Sequence, residues 1–436
     1  MISAHQPELQ PYIKASYDLA TLEQLEQLLI EKGTFKFTPI ENGLFPAALA
    51  HSEEQAYTGY HNIWVRDNVH VAWGNYVAGQ PDVAAKCVRT LADYFWKQRH
   101  KFEEVIDGMV DVTNPMERPH IRFNGTDLSE NVEVWPHAQN DALGYFLWIY
   151  AKLVAAEALV LTPEDEELLT LFVEYFHKIE FWDDEDSGHW EEVRKVNASS
   201  IGPVVAGLHG IRPLIETSTW YRTTKLYLPQ LDELLIMGRE SLQTILPSEC
   251  VQDSVEQNRR YDAALLFLIY PLKIVPSTQA EMILEDVQEN LMGEFGVRRY
   301  IGDSYWCDDY KAKMSPESRT ANFSENMSAR DQMLTLGCEA QWCIFDPIIS
   351  VIYGEKYMQT GDETMLEDQI QFFHRSLAQI TGPDCPMGEY RCPESYYMEK
   401  GTYVPNDITP LYWTQANLWM ALTQMKKTAK FQQCSK

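Results

Sequence analysis

Gly188-His189-Trp190-Glu191-Glu192-Val193 sets two adjacent carboxylates beside an indole. It follows the acidic run Asp183-Asp184-Glu185-Asp186 and precedes Asn197-Ala198-Ser199-Ser200. A carboxyl group beside an apolar ring loses hydration, which favours its protonated form. A carboxylic acid kept protonated near neutrality is what glycosidic-bond cleavage needs to protonate a poor leaving group. The same residues also suit a helix start or a solvated acidic face. Their meaning depends on what the rest of the chain brings to them.

Four other stretches carry residues of matching chemistry. Tyr60-His61-Asn62-Ile63-Trp64-Val65-Arg66-Asp67 joins an Arg–Asp pair, able to serve neighbouring sugar hydroxyls, to two flat rings. A capping Asp67 with two core aromatics is the plainer account of that segment. Trp135-Pro136-His137-Ala138-Gln139-Asn140-Asp141 places an indole among amide and carboxylate groups, as a sugar-stacking wall does; a lone histidine such as His137 is more often structural. Arg298-Arg299-Tyr300 and Asp303-Ser304-Tyr305-Trp306 supply two arginines that, in so acidic a chain, are expected to pair with carboxylates. Pro393-Glu394-Ser395-Tyr396-Tyr397 and Pro410-Leu411-Tyr412-Trp413-Thr414-Gln415 complete the set. Glycoside hydrolysis requires one carboxyl to donate a proton to the leaving oxygen and a second to accept one from water.

These residues fall in loops of roughly 40–66, 108–138, 181–197, 294–338 and 381–408 or at the starts of the helical patterns that follow them. The clearest helix opens at Thr162-Pro163-Glu164-Asp165, a capping residue followed by a proline suited to the first turn. Leu168, Leu171, Phe172, Tyr175, Phe176 and Ile179 then mark one face to about 180. Similar patterns occur near 20–31, 67–78, 80–107, 140–157, 198–212, 230–245, 259–270, 277–292, 339–359, 363–380 and 409–427. Only Lys36–Pro39 and Gly296–Tyr300 look extended. About twelve helices with long loops at alternate junctions predict an all-α toroid whose site forms where the loops gather at one end. A plain multi-helix bundle is the alternative. No linker divides the sequence, so 1–436 is expected to be a single domain, with 1–45 a leading segment packed on the barrel.

The combination resembles glycoside hydrolase family 15, the glucoamylase and glucodextranase family. In motif style it is closest to the amino-terminal domains of phosphorylase kinase α and β subunits. The likeness spans about residues 45–425 and implies an (α/α)6 barrel. By that resemblance Tyr60, Trp64, Arg66 and Asp67 bind glucose at the non-reducing end, and Trp135 and Gln139 form the stacking wall and its neighbour. Trp190-Glu191-Glu192 matches the general-acid motif, making Glu191 the proton donor and Glu192 a hydrogen-bonding neighbour for the next sugar. Arg299 matches a substrate-binding arginine, Glu394 the base that activates water with inversion, and Trp413 lies in a further shared motif. Inversion implies carboxyl groups about 6.5–9.5 Å apart, leaving room for the water. Departures are Ser395 after the base, the inserted Arg194-Lys195-Val196, and only 59 residues before Tyr60, too few for the β-sandwich of bacterial members. No starch-binding module is expected after the barrel, and so no attack on granular starch.

Two functions follow. One is an inverting, exo-acting α-glucosidase that releases β-glucose from α-1,4- or α-1,6-linked gluco-oligosaccharides. The other is a carbohydrate-binding regulatory protein of the phosphorylase kinase kind. A phosphorylase or trehalase on a similar barrel fits the motif order less well. Composition narrows the field further. Thirty-six basic residues against 64 acidic ones give a net charge of −28, which disfavours nucleic acid and anionic membranes. The amino terminus shows no signal-peptide pattern, and no stretch is long and apolar enough to span a bilayer. Eight scattered cysteines without a CxxC pair suggest free thiols and a cytoplasmic location. No metal or organic cofactor is expected.

Overall fold

Helix Asn140–Ala155 is buried on nearly every side, whereas helix Pro163–Lys178 is buried on one, and this contrast recurs around the molecule. The computed structural model describes residues 4–48, 59–217, 228–254 and 257–434. Inner segments run Val65–Val77, Asn140–Ala155, Ala198–Thr217, the short turns Ala263–Leu265 and Leu266–Ile269, Phe345–Thr360 and Tyr412–Cys434. Each packs on the next, and the last returns to the first, so the ring closes. Pro81–Lys97, Leu228–Ile245, Ser277–Asn290 and Glu363–Ala378 each lean on the inner segment before them, and Pro163–Lys178 packs on Pro81–Lys97 and Arg99–Ile106. The remaining outer place is taken by Leu19–Glu31, which packs on Tyr412–Cys434 and so joins opposite ends of the sequence. This is the (α/α)6 barrel.

The sequence dictates which helices go inside. Pro81–Lys97 buries Ala84, Cys87, Val88, Leu91, Tyr94 and Phe95, a single stripe at helical spacing. Asn140–Ala155 buries apolar and polar residues alike, as a helix enclosed by neighbours must. The closest approach in the ring is between Asn140–Ala155 and Ala198–Thr217. A Cβ on Gly144 would lie 2.4 Å from the Pro203 carbonyl carbon, so only glycine permits this spacing. At Thr162 the expected cap is present in full: Thr162 and Asp165 exchange side-chain-to-backbone bonds, and Pro163 sits in the first turn.

Some expectations are corrected. The 80–107 pattern is two helices, Pro81–Lys97 and Arg99–Ile106, parted at Gln98. The 259–270 segment is helical only from Ala263 to Ile269. Arg259 instead pairs backbone-to-backbone with Cys250, and Pro271 blocks extension beyond Tyr270. Lys36–Pro39 is not a strand, and Gly296–Tyr300 contributes only bridges at Val297. Two small antiparallel sheets were not anticipated. One joins Ile63–Trp64, Arg122–Asn124 and Ser129–Glu130; the other joins Gln341–Trp342, Ser395–Glu399 and Thr402–Pro405. No helix among the described residues is long and apolar enough to cross a membrane.

Candidate active site

Several candidate residues lie at or shortly before the amino-terminal end of an inner segment, whereas Arg299 and Glu394 come from the long loops between helices. Arg66 and Asp67 stand in the first turn of Val65–Val77, Gln139 precedes Asn140, Glu191 and Glu192 precede Ala198, and Trp413 opens Tyr412–Cys434. These four amino-terminal ends therefore face the same side, bringing partial positive charge to a region dense in carboxylates. A cavity opens there, with about 840 Å³ of empty space counted to its solvent mouth. Tyr60, Trp64, Arg66, Asp67, Trp135, Trp190, Glu191, Arg299, Glu394 and Trp413 all line it.

Glu191 is set in place by its own turn. Asp186 and Lys195 pair backbone to backbone, Ser187 N–H donates to the Ala138 carbonyl, and Glu192 N–H donates to the Ser187 carbonyl. The turn puts Glu191 in the left-handed region at φ 59°, a conformation costing a non-glycine residue roughly 1–2 kcal/mol. Such strain persists only where the surroundings hold it. Trp64 Nε1 donates to Glu191 Oε1 at 3.0 Å, Gln139 Nε2 donates to the same oxygen at 3.3 Å, and an Arg66 nitrogen stands 3.8 Å away. Among the described residues, no donor reaches the other carboxylate oxygen.

Glu394 is 2% exposed. Tyr60 donates to its Oε1 at 2.8 Å, and Asn406 Nδ2 donates to its Oε2 at 2.7 Å. Burial pushes its pKa up to about 7, against the Tyr60 and Asn406 hydrogen bonds and the Arg299 charge, while the charge of Asp67 raises it further. Asp67 is also pushed up to about 7, by burial first, with Arg66 pulling down and Glu191 pushing up. Asp67 is the third residue of its helix, past the capping position, and its carboxylate bonds to no other described side chain. It is left to face the cavity.

The walls are aromatic and cationic. The Tyr60 and Trp64 rings lie 5.2 Å apart, and Trp135 meets Trp64 edge-on at 6.1 Å. Arg66 is fixed by Asp141 and by Gln139 Oε1. Arg299 forms a two-pronged bond to Asp303, both contacts 2.6 Å, and lies over Trp190, Tyr305 and Trp342 at 4.9–5.0 Å. Trp190 Nε1 donates to both oxygens of Asp262.

Two candidates stand behind the wall instead of on it. Gln139 is spent on Arg66, the Pro136 carbonyl and Glu191. Glu192 is 3% exposed; Arg259 donates to its Oε2 at 2.7 Å and the Tyr300 hydroxyl to its Oε1. Burial works against its charge, but Arg259, Lys195, Arg299 and Arg330 outweigh burial and hold its pKa down at about 2. Glu192 does not line the cavity, and each of its oxygens accepts one internal hydrogen bond. His137 is likewise structural: it stacks on His120 at 3.7 Å and accepts from the Ile121 N–H.

Sequence reasoning named Tyr305 only as part of a motif and missed three further contributors. Tyr305 bonds Tyr60 hydroxyl to hydroxyl at 3.0 Å, and Trp342 and Arg330 line the cavity. Asn406 reaches Glu394 from just past the neighbouring hairpin strand. Tyr305 shares a motif with Arg299 and was within reach; Asn406 has no sequence signal apart from its distance along the hairpin. Among the described residues, no histidine, cysteine or carboxylate cluster is arranged to hold a metal ion.

Residues 31–219 match the model of glycosyl hydrolases family 15. The chain is family 15-like. It is 23% identical over 414 residues to the "Probable phosphorylase b kinase regulatory subunit alpha" of Caenorhabditis elegans, covering 85% of this chain but only 31% of that subunit. The chain thus spans under a third of the relative's length. Among solved structures, a glycosidase in complex with glucose superposes with a TM-score of 0.65 at 18% identity, covering 94% of this chain and 98% of the other. A glucoamylase from Saccharomycopsis fibuligera gives 0.57 at 13% identity, over 94% and 96% of the two chains. These structures share the family 15-like chain's barrel.

Proposed function

We propose that this chain is an inverting, exo-acting α-glucoside hydrolase that releases β-glucose from the non-reducing ends of α-1,4- or α-1,6-linked gluco-oligosaccharides. The observation that carries the reading is the convergence of Glu191 and Glu394 on one cavity, each bonded through a ring of the Tyr60–Trp64 segment. Glu191 donates the proton. Its Oε1 is occupied by Trp64 and Gln139, which leaves Oε2 to carry the proton to the glycosidic oxygen. Glu394 is the base: with a pKa about 7, it is poised between holding and accepting a proton at neutral pH. Asp67 and Arg66 receive hydroxyls of the terminal glucose, and the Trp64, Trp135 and Trp413 rings flank it. Arg299 and Trp190 line the far wall.

The test is to incubate the protein with maltose, isomaltose, trehalose and maltooligosaccharides and follow the anomers by NMR. β-Glucose appearing first supports the reading; α-glucose first defeats inversion. Glu191→Gln and Glu394→Gln should each remove nearly all turnover and leave sugar binding in place. The likeness to a kinase regulatory subunit favours a second reading, sugar binding without useful turnover. Binding of one of these sugars with no product over long incubation selects it. The cysteines are free and most are buried, which fits a cytoplasmic protein.

A further inference from the structure

Glu192 is the residue expected to meet the second sugar, yet its oxygens are taken by Arg259 and Tyr300. Some other group must then receive the part of the substrate beyond the scissile bond. Arg330, on the short helix Ser328–Asp331, lines the cavity and is 7% exposed. Its Nε donates to the Ser304 hydroxyl at 3.0 Å, which fixes the plane of the guanidinium. One terminal nitrogen stands 3.8 Å from Glu192 and makes no hydrogen bond to a described residue, although it is buried. An unmade bond on a buried donor is costly, and a ligand hydroxyl would satisfy it.

The guanidinium lies 5.6 Å from the Tyr305 ring and 5.4 Å from Phe323. Phe323 belongs to Thr320–Phe323, a strap that lines the cavity with all four residues. Asn322 reaches across to the Val134 carbonyl at 3.5 Å, next to Trp135 on the opposite wall. The strap therefore links the loop before Phe345 to the loop before Asn140 beside the cavity.

Resting on the hydrolase reading for the first sugar, we propose that Arg330 and the Thr320–Phe323 strap form the site for the second sugar. They restrict the substrate class to short gluco-oligosaccharides of two or three residues. Arg330 donates to a hydroxyl of the second ring while Phe323 covers its face. A third ring meets the strap.

α-Glucosyl fluoride has no second sugar and serves as the control. Arg330→Leu should lower kcat/KM for maltose and isomaltose about 10- to 100-fold more than it lowers that for the fluoride, the span of one lost hydrogen bond to a charged donor. An equal loss on fluoride and disaccharide makes Arg330 merely structural and overturns the assignment. Wild type should favour maltose over maltoheptaose by at least about tenfold, and Asn322→Gly with Phe323→Gly should erase that preference. A wild type that prefers maltoheptaose, or a strap variant with an unchanged ratio, sinks the length restriction. If wild type cleaves neither fluoride nor disaccharide, the hydrolase reading fails separately. Calorimetry then applies the same comparisons to binding, with glucose, maltose and maltoheptaose as probes: Arg330→Leu must weaken maltose but not glucose.

Discussion

Tyr60 and Trp64, with ring centroids 5.2 Å apart on one five-residue segment, each hold one of the two opposed carboxylates. Tyr60 donates to Glu394 at 2.8 Å and Trp64 to Glu191 at 3.0 Å. The spacing between the two glutamates is thus governed locally, although they lie on loops far apart in the chain. Ile63 and Trp64 pair with Phe123 and Arg122, so the segment that sets this spacing is itself anchored in a sheet. A shift of one residue in that register would carry both rings, and with them both carboxylates, out of place.

Trp64→Phe keeps the ring and loses the indole N–H. The bond from Gln139 to the same oxygen remains, so turnover should fall about tenfold and not to zero. Steady-state kinetics on a disaccharide decide it; an unchanged kcat would mean that Glu191 needs no help from Trp64.

The acid limb of kcat/KM should lie near pH 7, because Glu394 must be ionised to accept a proton and its pKa is about 7. Tyr60→Phe removes a hydrogen bond that stabilises the ionised form, so the limb should move to higher pH. Asp67→Asn removes a negative charge that disfavours ionisation, so the limb should move lower, apart from any loss in sugar binding. Shifts of the opposite sign in the pH–rate profiles would refute the assignment of the limb to Glu394.

Glu394 should also cost stability where it is charged. Its pKa is raised from 4.5 in the unfolded chain to about 7 in the folded one. The folded state therefore binds more protons between those values, and stability falls as pH rises through that window. Glu394→Gln, which cannot ionise, should gain up to about 3 kcal/mol above pH 7 and little or nothing at pH 4. Thermal melts at both pH values test this, and a gain independent of pH would point to packing instead.

Glu192 works in the other direction. With its pKa lowered to about 2, it contributes stability that is fully present above about pH 4.5 and lost as the pH falls towards 2. Glu192→Gln leaves Arg259, Arg299, Arg330 and Lys195 without their shared counter-charge, and should destabilise the fold by about 3–5 kcal/mol at neutral pH. Denaturant unfolding at pH 7 reads this loss. A variant as stable as wild type would show that water or Asp262 takes over the pairing.

The inner and outer helices were legible because burial leaves a periodic record, as in Leu168 to Phe176. The segment before Pro271 misled for a physical reason: Asp262 must cap a short turn and hold Trp190, and a continuous helix from 259 would deny it both. The Ser395–Pro405 hairpin was hidden because its strands are short and lie in a stretch that otherwise reads as loop. At the site, the residue types facing the cavity could be read, but not the direction each side chain takes. Glu191 and Glu192 are neighbours in sequence and differ in fate because a left-handed φ at Glu191 turns one carboxylate into the cavity and its neighbour into an arginine cluster. No spacing rule encodes that.

Leu19–Glu31 completes the outer layer against Tyr412–Cys434, where Glu26 accepts from Trp419 Nε1 at 3.0 Å and from Lys426 at 2.7 Å. In a closed ring the order of parts is cyclic, so the ordinal position of a helix pair has no structural meaning. The turn at Ala78-Gly79-Gln80 lies at the carboxyl end of Val65–Val77, away from the cavity. A circularly permuted chain opened there, with its original ends joined by a flexible linker, should rebuild the same cavity from a different starting helix.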